Sequence, residues 1–143
     1  LFFEVAERLF AEVWARMNAA EADKGPFVHR LVLLLDAKIG HIKRLLLSSP
    51  HASELMDETR ATHARPGLEA LDKGFREMLD GMIEAAAAAG DIELKRGNIT
   101  AAEFAETAIA AAHGAIHTGP MDAGAFRNRL SRHLSLLVAG LAR

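Results

Sequence analysis

Apolar residues recur at three- and four-residue steps along most of the chain, and Pro- and Gly-bearing points break that recurrence into segments. From Leu1 to about Ala20, Phe2, Phe3, Ala6, Leu9, Phe10, Val13, Trp14 and Met17 fall on one side. Glu4, Glu7, Arg8 and Glu12 lie opposite, which predicts an amphipathic helix. Glu21 to Gly25 reads as a turn, and Pro26 stands at a first helical position, where a missing N–H costs nothing. The helix it opens runs to about Leu47. Phe27, Leu31, Leu35, Ile39, Ile42 and Leu46 make one face and Leu33, Leu34 and Leu47 widen it, as expected of the central, most buried helix.

Ser48, Ser49 and Pro50 end that helix, and His51 to about His63 predicts a short polar helix with little apolar content beyond Leu55 and Met56. Arg65-Pro66-Gly67 restarts the chain into a long helix. Leu68, Leu71, Phe75, Met78, Leu79, Met82 and Ala86 face inward, and Glu69, Asp72, Lys73, Arg76, Glu77, Asp80 and Glu84 face outward. Gly90 is placed to stop it in the left-handed conformation, and Asp91 to Ile99 forms a polar linker. Thr100-Ala101-Ala102-Glu103 has the spacing at which a hydroxyl and a carboxylate each satisfy an orphan amide, so a fifth helix starts there. Asp122 can cap a last one bearing Phe126, Leu130, His133, Leu134, Leu137 and Leu141 at near-heptad spacing, which suits a helix-bundle interface.

No stretch alternates apolar with polar residues over strand length, so the expected fold is all-α: one domain, residues 1–143, a bundle of about six helices. A formal net charge of -2 and the lack of a basic cluster argue against a free-standing nucleic-acid binder. The absence of cysteine excludes disulfides, zinc–thiolate sites and a cysteine nucleophile, and makes the cytoplasm the default compartment. The longest aliphatic run, Leu31 to Leu35, is far below the roughly 20 residues of a membrane span. Opening in helical phase at Leu1, without Met or an N-cap residue, the chain reads as a fragment of a longer protein.

Three stretches, taken in order, carry a resemblance. Leu1-Phe2-Phe3-Glu4-Val5 opens a long helix, Ala88-Ala89-Gly90-Asp91-Ile92 closes an Ala-rich one ahead of the capped Thr100 helix, and Leu136-Leu137-Val138-Ala139-Gly140-Leu141 ends the last. Together they resemble the C-terminal ligand-binding and dimerisation domain of the tetracycline-repressor (TetR) family of bacterial transcriptional regulators. The resemblance covers the whole chain. It implies a homodimer built on the last two helices, a ligand cavity among the earlier ones, and operator DNA contacted only through an N-terminal helix-turn-helix that this chain lacks.

On that reading the cavity lies between the first, second and long helices, with Phe10, Trp14, Met17, Ile39, Phe75, Met78 and Met82 facing a small, largely apolar effector. Taken singly, each of these residues reads better as core filler, and the pocket reading rests on the group. The dimer seam is assigned to Phe104, Ala108, Ala112 and Ala115 of the fifth helix and to Phe126, Leu130, His133, Leu134, Leu137 and Leu141 of the last. His113 and His117 stand four apart, a metal-binding spacing, yet two ligands are too few for a closed zinc site, and no metal or cofactor is expected. His41, on the polar margin of the second helix, is placed to bond a ligand but reads more simply as a surface histidine. Asp36 and Lys43, about two turns apart on one helix margin, either reach into a cavity or extend to water. With no Gly-rich phosphate loop, no Gly-x-Ser-x-Gly and no Glu-x-x-His, an enzyme is not expected. The leading function is the sensor and dimer domain of a one-component repressor. The alternative is a helical interaction or scaffold domain without a cavity.

Overall fold

The computed structural model describes residues 2–49, 51, 54, 57 and 65–142. Among them are five helices and no strand. Helix α1 spans Phe2–Ala22. Helix α2 is a continuous rod made of Phe27–Leu35, one π-helical turn at Asp36–Gly40, and His41–Ser48. Helices α3, α4 and α5 span Arg65–Ala89, Ala101–Ile116 and Ala123–Ala139. The predicted short helix from His51 to about His63, with Leu55 and Met56, lies almost wholly outside the described residues.

The helix ends are where local chemistry puts them. Gly90 takes φ +84, the left-handed conformation that only glycine adopts without strain. Thr100 accepts a hydrogen bond from the Glu103 amide while the Glu103 carboxylate accepts one from the Thr100 amide, so both orphan donors are satisfied. Asp122 accepts from the Ala125 amide at the start of α5. The linker from 91 to 100 is anchored by Ile92, which is buried, and contains one 3-10 turn at Leu94–Gly97.

Helix α2 is the centre of the bundle, since α1, α3 and α5 pack against it and its π turn also meets α4. The π turn changes which way α2 faces. One extra residue in a turn rotates the helix beyond it by about 100°. Leu31, Leu34 and Leu35 accordingly sit in the core, whereas Ile39, Ile42 and Leu46, predicted on the same stripe, are half-buried.

The turn is held by Asp36, a carboxylate only 1% exposed. It accepts from Arg44 Nη1 at 2.7 Å, further along α2, and from Arg127 Nε at 2.8 Å, on α5. Gly40 is needed here, because a Cβ at that position would collide with the Asp36 carboxylate and the Phe126 ring. A second buried charged residue, Arg129, donates from Nε and Nη2 to the Ala115 carbonyl at 3.1 and 2.9 Å. It thereby caps the carbonyl end of α4, where positive charge is favoured.

The assigned dimer seam needs correction at the level of residues. Phe104, Ala108, Ala112, Ala115, Phe126, Leu130 and Leu134 are fully enclosed within a single chain, and Leu141 is 4% exposed. Their surfaces are already covered by α2, α3 and one another, so a second copy has nothing of them left to cover. Of the assigned set, His133 is exposed and Leu137 half-buried. The stripe was real, but it faces the core.

Candidate functional site

A chamber of about 550 Å³, half open to solvent, lies between the second half of α2, the first half of α3 and the second half of α4. Each helix contributes one face. From α2 come Lys38, Ile39, Ile42, Lys43 and Leu46, from α3 Leu68, Asp72, Phe75 and Arg76, and from α4 Ile109, His113, Ile116 and His117. Steps of three and four residues align these side chains on each helix. The rotation at the π turn is what brings Ile39, Ile42 and Leu46 round to this side.

The chamber has an apolar floor and a polar rim. Ile39, Ile42, Leu46, Leu68, Phe75, Ile109 and Ile116 make the floor. On the rim Lys38 Nζ lies 2.9 Å from Asp72 Oδ1 and 5.8 Å from the centroid of the Phe75 ring. Arg76 is held by Asp80, Nε to Oδ1 at 2.9 Å, and donates to the Ala102 carbonyl of α4. The side chains of Lys43, His113 and His117 have no ion-pair or hydrogen-bond partner among the described residues. A volume of this size falls within the ~300–1,000 Å³ of small-molecule sites, which are mostly apolar with a few convergent polar groups.

Of the residues predicted to face a ligand, Ile39 and Phe75 line this chamber. Phe10 and Trp14 border a shallow groove on α1, where the Trp14 indole lies across Gly74 of α3. Met17 is fully buried in the core, Met78 is packed against it, and Met82 borders a separate groove near the start of α2. The third wall is therefore α4 and not α1, whose Met17 is buried in the core and whose Phe10 lies against Gly67 of α3. Sequence reading missed Lys38, Arg76 and the three isoleucines other than Ile39 as a group, since they are scattered over some 80 positions; the signals present were the His113/His117 pair and Lys43 on its helix margin.

His113 and His117 do stand together, as their spacing implies. Among the described residues no group of three or more His, Asp or Glu is placed to hold a metal ion. Asp36 does not reach the chamber, being enclosed between its two arginines. None of the described helices is long and apolar enough to cross a membrane.

His41 is not a surface residue. Its Nε2 is buried, 3.3 Å from Glu12 Oε1 but not aligned to hydrogen-bond it. Burial, reinforced by Arg16 and Arg44, pushes its pKa below 6.5 against the opposing pull of Glu12 and Asp36. The folded chain therefore binds this proton less readily than the unfolded one. The stability His41 contributes is complete above its unfolded pKa and is lost as pH falls below it. A urea midpoint measured at about pH 5.5 should lie below that at about pH 7.5, and the difference should shrink in His41→Gln. An equal difference in the variant would assign the acid sensitivity elsewhere.

Compared with known proteins, the chain matches no family model, no curated protein and no solved structure.

Proposed function

We propose that this chain is the effector-sensing and dimerising domain of a cytoplasmic one-component transcriptional regulator of the tetracycline-repressor type, in which a small ligand controls DNA binding by the intact protein. The observation that carries the reading is the chamber, an apolar-floored space of about 550 Å³ bounded by three separate helices. A small molecule held there touches α2, α3 and α4 at once, so its binding favours one spacing of those helices over another. Helix α1 packs on both α2 and α3 and transmits that spacing. In the resembling family this helix leads from the DNA-reading module. The switch is then a population shift driven by differential affinity for two helix arrangements.

Dimerisation in this reading runs over the outward faces of α4 and α5. These carry Ala110, Gly114, Leu136 and Ala139 at the surface, with Leu136 75% exposed. A Cβ added at Gly114 would meet nothing within 4 Å, so a neighbouring helix has room to come close. Such faces pair symmetrically in a two-fold dimer.

The test is operator-fragment binding by the intact regulator, measured with the chamber empty, with it filled, and with Ile109→Trp blocking it. Coupling of about 1–3 kcal/mol predicts a 5- to 150-fold change in DNA affinity on filling, and no response in the blocked variant. DNA affinity indifferent to a ligand that occupies the chamber would remove the sensing claim.

A further inference from the structure

We infer that the occupant of the chamber is an amphipathic organic anion, an apolar body of medium length ending in one carboxylate, with the Lys43 ammonium as its counter-charge. The inference rests on reading the chamber as a ligand site and names the class of molecule it takes. Three cations and one carboxylate stand on its walls, Lys38, Lys43 and Arg76 against Asp72, and with Asp80, which pairs Arg76 from just outside the lining, they leave a local excess of one positive charge in a chain whose formal net charge is -2. Lys38 is held by Asp72 and Arg76 by Asp80. Lys43, half-buried at the edge of the isoleucine floor, is the wall's cation without a carboxylate among the described residues.

Other classes of occupant fit less well. A wholly apolar ligand would cover Lys43 and the two imidazoles of His113 and His117 while giving them nothing to bond, which is costly for polar groups leaving water. A cationic ligand would face the positive excess. A polyphosphate needs several charge-assisted contacts, and two of the three cations are already engaged. One carboxylate matches one free ammonium, with the histidines available as further hydrogen-bond donors. A volume of about 550 Å³ is that of a site for a medium-sized organic molecule. An acyl chain or a substituted aromatic ring with one carboxylate is of that size.

The experiment is isothermal titration of the chain with octanoate and with octan-1-ol, which share the tail and differ in the charge of the head, in the natural sequence, in Lys43→Met and in Ile109→Trp. Octanoate is expected to bind about ten-fold more tightly than the alcohol, the worth of one charge-assisted contact at a partly solvated site. Lys43→Met should bring octanoate down to the alcohol's level and leave the alcohol unchanged, and Ile109→Trp should abolish both. Equal affinity for the two ligands, or a preference that survives Lys43→Met, would overturn the anion while leaving the chamber a ligand site. Binding of neither ligand, or binding undiminished in Ile109→Trp, would overturn the site as well.

Discussion

Phe126→Ala is expected to destabilise the fold by about 3–5 kcal/mol, the range for truncating an enclosed phenylalanine. Its ring has no exposed surface, and it lies against the backbone of Gly40 at the π turn of α2, where even a methyl group would not fit beside it. Helix α5 therefore approaches α2 closely here, with the ring between them. The void left by alanine is bordered by backbone and by the Asp36 ion pairs, neither of which can move in to fill it. Against a total stability of about 5–15 kcal/mol this is a large fraction. With a urea slope of about 2 kcal/mol per molar it moves the midpoint by about 2 M. Leu136→Ala on the same helix, where the side chain is 75% exposed, should stay within about 0.5 kcal/mol. Equal losses at the two positions would mean that the inner and outer faces of α5 have been exchanged.

Asp36→Ala is expected to cost about 2–3 kcal/mol. Breaking a fully buried ion pair typically costs about 3–5 kcal/mol, because a charge is left stranded out of water. Here the stranded partners are Arg44 and Arg127, whose side chains are 20% and 40% exposed and can turn to solvent, so the penalty is smaller. What remains is the loss of two charge-assisted hydrogen bonds that tie α2 to itself across the π turn and to α5. Asp36→Asn keeps the shape and one acceptor and should fall between the two. Denaturant unfolding of the three proteins checks the order, and an alanine variant as stable as the natural chain would contradict the role given to this carboxylate.

Features that depend on a few neighbouring residues were legible in the sequence. The capping box at Thr100 and Glu103, the Asp122 cap and the left-handed Gly90 each involve atoms within about one helical turn, and the residue types alone specify them. Helix α2 as the central rod was legible too, because its apolar surface is wider than a stripe. What periodicity does not carry is the identity of the surface that covers a stripe. Phe126, Leu130 and Leu134 read equally well as a seam between copies or as the inside of one, and the structure places them inside.

The π turn was hidden for a related reason. Ile39, Ile42 and Leu46 continue the spacing of Leu31 and Leu35 closely enough that an inserted residue leaves no break in the pattern. Only the buried Asp36 beside a glycine four residues on hints at it. That turn sends the isoleucines to the chamber instead of the core, so the missed turn and the misplaced wall of the cavity are one error. The sequence also paired Asp36 with Lys43 on one margin, whereas the rotation separates them, one to the arginines and the other to the chamber rim.

The claim on which the rest depends is that a small molecule enters between α2, α3 and α4. Isoleucine-methyl NMR tests it most directly, because the chain's seven isoleucines divide by position: Ile39, Ile42, Ile109 and Ile116 line the chamber, and Ile83, Ile92 and Ile99 do not. Titration with octanoate should shift the first four methyl signals together along one saturating curve and leave the other three in place. Shifts confined to Ile83, Ile92 and Ile99, or no shift at any isoleucine at millimolar octanoate, would contradict the account.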